Sequence, residues 1–161
     1  MERKYALLMN MPDNKLPGFY AQIVKALANK APLFDRDKEM LIFSAEPDRE
    51  AAIGIMQQYK IEHETLELLL LPAGTEMAPT FSDFGFVSRA EHIYVYAEQA
   101  ALFRLVEIAG GEPAQALQQM DEHLLARCVI DGVPAYAVET HLLELMEGIA
   151  KAYGCGVEVI S

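Results

Sequence analysis

A leucine run in the middle of the chain constrains the fold more than any other feature. Residues 65–71 read Thr-Leu-Glu-Leu-Leu-Leu-Leu, and Pro72 follows them. Successive side chains of a strand point to opposite faces, so a strand without alternation must be apolar on both faces. We therefore predict a central strand with helices packed on both sides of its sheet, as is typical of parallel sheets. A segment of buried helix is the alternative, because periodicity cannot separate the two for so short a run.

The chain before this run predicts alternating strands and helices. Apolar residues over 5–11 and 39–44 indicate two more strands, and helices are predicted to begin at Pro17 and Pro47, since proline suits the first helical turn. Strand-helix-strand-helix-strand is the pattern of a parallel sheet with right-handed crossovers. This order is similar to that of flavodoxin-like proteins at the level of fold alone, because no residue motif accompanies it.

Residues 72–91 interrupt the pattern with prolines and glycines and carry Phe81, Phe84 and Phe86. A long connection without secondary structure is uncommon in a compact domain, and three phenylalanines favour burial over disorder. We predict an arm or lid whose phenylalanines pack against another surface or form an interface.

The remainder predicts further strands and helices of the same domain. A strand is expected over 92–97, and an apolar spacing at 102–108 predicts a helix. Pro113 and Pro134 are expected to open two more helices. Asp131-Gly132 is a turn signal, and residues 128–130 before it are either a strand or the end of a helix. Residues 157–160 alternate and predict an edge strand. The predicted fold is a single three-layer α/β domain over residues 1–161, with a mostly parallel sheet of five or six strands and helices on both faces.

Composition excludes several classes of partner. The 161 residues are 52% hydrophobic, which is enough for one domain with a sizeable core. The net charge is −11 and the basic residues are scattered, so we expect neither nucleic acid nor a membrane surface as a partner. The first apolar run is too short for a signal peptide, and no run approaches the length of a membrane span, so we expect a cytoplasmic protein.

No motif assigns a reaction or a cofactor. The chain lacks GxGxxG, GxxxxGK[ST], GxSxG and HExxH. No histidine has a second histidine or a cysteine at metal-ligand spacing, so neither a metal nor a cofactor is expected. Cys128 and His141 are the one candidate nucleophile–base pair, against the commoner case of a buried structural cysteine.

The predicted topology places a candidate ligand site. In open parallel sheets, ligands bind beyond the carboxyl ends of the strands. The polar residues at those ends are Asn10, Asp13, Asn14, Lys15, Ser44, Asp48, Arg49 and Glu98. Helix N-termini with Lys15 and Arg49 would suit an anion, so a small metabolite, an anionic one included, is the predicted ligand. The alternative is that turns and helix starts are polar for structural reasons alone.

A second hypothesis is assembly. Eight methionines and the phenylalanine-bearing arm predict more apolar surface than a monomer of this size hides. A homo-oligomer, with a symmetric dimer as the commonest form, would cover it. In that case the chain is a non-catalytic subunit or a protein-interaction module.

Overall fold

A computed structural model describes residues 2–10 and 17–161. The chain divides into two compact units, and each is described here by itself. The N-terminal unit comprises Glu2–Leu68 and Val87–Glu91, and the C-terminal unit comprises Leu69–Phe86 and His92–Ser161. None of the helices in the described ranges combines the length and the apolar character that crossing a membrane requires.

The N-terminal unit places two helices on one face of its strands. Its elements are β1 (Glu2–Asn10), α1 (Pro17–Lys30), β2 (Asp35–Asp37), β3 (Met40–Phe43), α2 (Glu46–Gln58) and β4 (Glu62–Leu71), of which β4 continues into the C-terminal unit. The predicted starts of α1 and α2 are confirmed. Apolar side chains of both helices bury against β1 and β3, with Leu7, Ile23, Phe43 and Met56 in this core.

The sheet is antiparallel, and the prediction of a mostly parallel sheet between two helical layers is wrong. In β1 and β3, Tyr5 lies opposite Phe43 and Leu8 opposite Met40 in antiparallel register. Every strand pair with a defined register is antiparallel. The prediction missed β2, which is short and polar. After α1 the chain forms β2, reverses at Lys38-Glu39, and returns as β3 between β2 and β1.

The rest of the chain is mainly strand. The elements are β5 (Glu76–Met77), β6 (Gly85–Val87), β7 (Ile93–Tyr96), β8 (Ala100–Val106), α3 (Pro113–Met120), β9 (Leu124–Ile130), β10 (Val133–Glu139), α4 (Leu143–Ala152) and β11 (Gly156–Val159). Strands hydrogen-bond in the order β2-β3-β1-β4-β7-β6 in one sheet and β11-β8-β10-β9-β5 in the other. The fold is therefore mostly antiparallel β-structure with few helices.

The leucine run is a strand inside its sheet, as predicted, but helices do not cover both of its faces. It forms the end of β4, which lies between β1 and β7. Leu69 and Leu71 belong to a core built from strand residues and Phe81, with Val95 and Leu102 among them. Other strands, rather than a second helical layer, keep these leucines out of water.

One predicted helix is a strand in the structure, and the helix predicted from Pro134 begins only at Leu143. Residues 100–106 form β8. Leu102 faces one core, and Phe103 faces the core on the opposite side of the sheet. A strand buried on both faces has apolar residues at every spacing, which imitates a helical stripe. Pro134 likewise lies in β10 and does not open a helix.

Three local predictions in this half are confirmed, at Pro113, at Asp131-Gly132 and at residues 157–160, and the alternative left open at 128–130 is decided in favour of a strand. Pro113 opens α3, and residues 128–130 end strand β9. Asp131 and Gly132 form the two-residue turn of the β9–β10 hairpin, with φ of 53° and 77°. Positive φ at both central residues is the type I′ conformation that favours Asp-Gly. Strand β11 lies at the edge of its sheet, as the alternation of 157–160 predicts.

Candidate functional site

The residues predicted to form one ligand site are distributed over separate places. Asp13, Asn14 and Lys15 lie outside the described residues. Asn10 ends β1, and its amide donates to a carboxylate oxygen of Glu62 over 3.3 Å. It lines an open cleft of about 690 Å³ together with His63 and three glutamates (Glu39, Glu62 and Glu64). This acidic lining opposes the binding of an anion.

Ser44 and Arg49 lie on opposite faces of the sheet. The Ser44 hydroxyl accepts a hydrogen bond from the Nζ of Lys4 over 3.1 Å, whereas the Arg49 guanidinium lies 5.3 Å from the ring centroid of Tyr5. Lys4 and Tyr5 are consecutive residues of β1, so their side chains point to opposite faces. Asn10 is five residues beyond Tyr5 on the same strand, or about 17 Å away at ~3.4 Å per residue. One small ligand does not reach all of these groups.

Arg49 has structural partners. It is buried, donates from Nη1 to the carbonyl oxygen of Leu66 over 3.1 Å, and approaches Glu46 at 3.7 Å. Asp48 and Glu46 occupy the first turn of α2, where acidic groups suit the helix dipole. The contacts of Arg49 with Tyr5 and Leu66 fasten the start of α2 to the sheet.

Glu98 belongs to the C-terminal unit, and the rule that predicted the site does not apply to this fold. The Glu98 side chain is exposed, and its backbone oxygen accepts a hydrogen bond from the Thr140 hydroxyl over 3.4 Å. In an antiparallel sheet neighbouring strands end at opposite edges. The sheet therefore has no edge at which the carboxyl ends of all its strands meet.

The three phenylalanines of residues 72–91 pack within the C-terminal unit. Phe81 is only 4% exposed and belongs to its strand-built core, and Phe84 packs against that core. The Phe86 ring lies 5.1 Å from that of Tyr94 and 5.8 Å from that of Tyr96, between centroids. The segment itself contains β5, a 3₁₀ turn over Phe81–Asp83 and β6.

One face of the five-stranded sheet carries a row of four side chains from four neighbouring strands. Tyr136 on β10 is in register with Phe103 on β8 and with Arg127 on β9, and Arg127 is in register with Glu76 on β5. Residues directly opposite on antiparallel strands share a face and lie within contact distance. The row thus passes from an apolar ring through a phenol and a guanidinium to a carboxylate.

Helices α3 and α4 cover only part of this face. Met120, Met146 and Ala150 of the helical layer share a core with Phe103 and Val138. Two cavities open on the uncovered part, of about 430 Å³ and 340 Å³, and Pro134 and Tyr136 line both. We call them together the trough. The remaining lining is Leu105, Glu107, Pro113, Ala114, Leu117 and Val133 in the apolar cavity and Ala73, Gly74, Thr75, Glu76, Arg127, Cys128 and Val129 in the polar cavity.

Tyr136 is the buried polar residue at the junction of the two cavities. It is 7% exposed, and its ring centroid lies 5.6 Å from that of Phe103. Burial raises the pKa of Tyr136, and the positive charge of Arg127 offsets part of that increase. The phenol is therefore protonated at neutral pH and available as a hydrogen-bond donor. Within the described ranges, its hydroxyl forms no hydrogen bond.

Arg127 and Glu76 supply one charge of each sign to the polar cavity. The Nη2 of Arg127 is hydrogen-bonded to a carboxylate oxygen of Asp121, and the arginine side chain is 38% exposed. A guanidinium has more N–H donors than this one contact uses. Glu76 is exposed and has no ion pair with any residue from 2–10 or 17–161, although Arg127 lies opposite it.

The thiol of Cys128 belongs to the core on the opposite face of the sheet and is not activated. Cys128 is buried, and burial raises its pKa more than the hydrogen bond with Thr75 lowers it. A thiol in this state is a poor nucleophile, because the thiolate is the reactive form. His141 is largely exposed, with its Nδ1 4.0 Å from a carboxylate oxygen of Glu139. These facts argue against a Cys128–His141 catalytic pair.

The arrangement supplies a ligand with a phenol donor and one charge of each sign, and it does not identify a reaction. Among the described residues, no group of three or more histidine, cysteine or acidic side chains is placed to hold a metal ion. Sequence reasoning missed Arg127 and Tyr136. The usable signal was Asp131-Gly132, because a two-residue turn there fixes the register that sets Arg127 opposite Tyr136. The helix predicted from Pro134 hid this pairing.

Comparisons with protein-family models, curated protein sequences and solved structures found no match to this chain.

Proposed function

We propose that this chain binds a small amphipathic carboxylate in the trough, with its apolar body against Leu105, Leu117 and Pro134. The carboxylate would accept hydrogen bonds from the Tyr136 phenol and the Arg127 guanidinium. The single observation that carries this proposal is Tyr136, a buried phenol that lines two cavities without a hydrogen-bond partner among the described residues. The residue is buried, but its hydroxyl is reachable from the cavity, so a ligand oxygen can accept its hydrogen bond.

The size and chemistry of the trough support the same class of ligand. Each cavity falls within the range of about 300–1,000 Å³ that is usual for small-molecule sites. The 430 Å³ cavity presents mainly apolar side chains, and Arg127 is among the residues that line the 340 Å³ cavity. Arginine suits carboxylates because its planar fork of N–H groups matches their geometry.

Calorimetric titration with 3-phenylpropanoate tests this function. We expect saturable binding to the wild type. Tyr136→Phe, which removes only the hydroxyl, should weaken binding about tenfold, or ~1.4 kcal/mol. Arg127→Gln should weaken it at least as much. Tyr153→Phe is the matched control, since Tyr153 does not line the trough, and it should bind as the wild type does. Absence of saturable binding, or equal affinity in all four proteins, would contradict the proposal.

A homo-oligomeric interaction module is the second candidate. Its support is that Val129 is 59% exposed and Val133 is 42% exposed at the β9–β10 hairpin, and that Val159 of edge strand β11 is exposed as well. Exposed apolar residues and a free strand edge both favour association. Sedimentation at increasing concentration should then show a dimer that Val129→Lys with Val133→Lys converts to monomer. A monomer at every concentration would remove this candidate.

A further inference from the structure

We infer that the ligand of the trough is a zwitterion, an apolar α-amino acid or a compound with the same head group, because Glu76 stands beside the carboxylate site and forms no ion pair with a residue that the structure describes. This inference rests on the proposed function and narrows its ligand class. A plain carboxylate would leave Glu76 unmatched and would be repelled by it. An ammonium group on the carbon next to the carboxylate reverses that repulsion.

The register fixes the order of the groups that would hold the head group. Glu76, Arg127 and Tyr136 are consecutive members of one row across β5, β9 and β10. Neighbouring strands lie about 4.8 Å apart, so the row spans roughly 10 Å from Glu76 to Tyr136. An α-amino acid head group fits this span, with its ammonium toward Glu76 and its carboxylate toward Arg127 and Tyr136.

The existing contacts of the acidic residues near Arg127 explain why Glu76 is the available carboxylate. Arg127 is hydrogen-bonded to Asp121, which begins the 3₁₀ turn over Asp121–His123 directly before β9. Asp121 is therefore engaged, whereas Glu76 is unpaired within the described ranges. Glu107, the other acidic residue of the trough, lines the apolar cavity and does not line the cavity that contains Arg127.

The position of the side chain follows from that of the head group. Tyr136 and Pro134 line both cavities, so a substituent on the α-carbon passes them to enter the 430 Å³ cavity. Leu105, Leu117 and Pro113 line that cavity, which suits a branched aliphatic or aromatic group. A charged side chain would lose its hydration there without gaining a partner of opposite sign.

The test compares three ligands of the same shape by calorimetry on the wild-type protein. L-Phenylalanine carries both head-group charges, 3-phenylpropanoate lacks the ammonium, and 2-phenylethylamine lacks the carboxylate. We expect phenylalanine to bind about tenfold more tightly than either. Equal or weaker binding of phenylalanine than of 3-phenylpropanoate would overturn the zwitterion inference and leave the proposed function standing. Preference for 2-phenylethylamine over both acids, or binding of none of the three, would overturn both.

Two matched variants locate the ammonium partner. Glu76→Gln keeps the shape of the side chain and removes its charge, so the tenfold preference for phenylalanine over 3-phenylpropanoate should disappear. Glu107→Gln removes a carboxylate from the same trough and should preserve that preference. The inference fails if the two variants behave alike or if Glu107→Gln alone abolishes the preference.

Discussion

Tyr136 and Arg127 face one another only because the chain reverses at Asp131-Gly132. The type I′ turn matches the right-handed twist of the two strands, so it fixes the register from the turn through Tyr136, before the shift between Ala137 and Val138. Burial then keeps the phenol neutral and leaves its hydroxyl available as a donor. At the scale of single residues, the candidate site therefore depends on one turn and one buried ring.

Gly85 is a residue whose replacement should cost stability for a defined reason. A Cβ at this position would clash with the backbone oxygen of Tyr94 and would lie 2.9 Å from a ring carbon of Phe81. Backbone atoms have little freedom to move away, so Gly85→Ala should lower the free energy of unfolding by about 1–3 kcal/mol, as overpacking does. Urea denaturation measures this change.

The control is an alanine substitution in an open position. Gly148 lies in α4, and no atom lies within 4 Å of the place where its Cβ would be. Because alanine favours helix over glycine, Gly148→Ala should raise the free energy of unfolding by up to about 1 kcal/mol. Equal stability of Gly85→Ala and the wild type would contradict the close approach of β6 and β7 at this residue.

At the scale of elements, strands buried on both faces account for what sequence reasoning found and what it missed. The end of β4 has no polar position, and its leucines indicated a central strand that the structure confirms. Strand β8 has the same character, but its apolar residues coincide with a helical spacing. Periodicity carries no information where both faces are buried, so long-range pairing decides between helix and strand. Only tertiary structure could have corrected β8 and β10.

The segment over residues 72–91 gives a prediction at this scale. If these phenylalanines held subunits together, replacing Phe81 with serine would shift an oligomer toward monomer. Because Phe81 lies in the core of the C-terminal unit, we expect Phe81→Ser to lower the free energy of unfolding by about 3–5 kcal/mol instead. Thermal melting combined with sedimentation distinguishes the two results, and a stable protein with an altered oligomeric state would contradict the assignment of Phe81 to the core.

At the scale of the whole molecule, the sequence predicted elements better than their arrangement. Helices α1 and α2 and the central position of β4 followed from periodicity and proline placement. The parallel order did not. The three residues of β2 are polar and carry no strand signal, but they form a hairpin with β3 that reverses the direction of the chain before β3. The site predicted from the parallel order was lost with it. The trough depends instead on pairings between β5, β9, β10 and β8, which no local pattern encodes.

Two of the places that the described residues offer a small ligand contrast in charge. The cleft beside Asn10, at about 690 Å³, is larger than either cavity of the trough, but its lining carries Glu39, Glu62 and Glu64 beside His63. The trough is lined by Arg127 and the phenol of Tyr136. The net charge of −11 disfavours a carboxylate everywhere except where a cation is close. An anionic head group should therefore select the trough over the cleft.

An amide proton–nitrogen NMR titration of the full chain with 3-phenylpropanoate tests this choice most directly. We predict saturable shifts at the amides of Leu117, Arg127, Val129 and Tyr136, with one common dissociation constant, and unchanged amides at Glu62, His63 and Glu64. Shifts confined to the second group, or no saturable shift at any amide, would contradict the assignment of the trough as the ligand site.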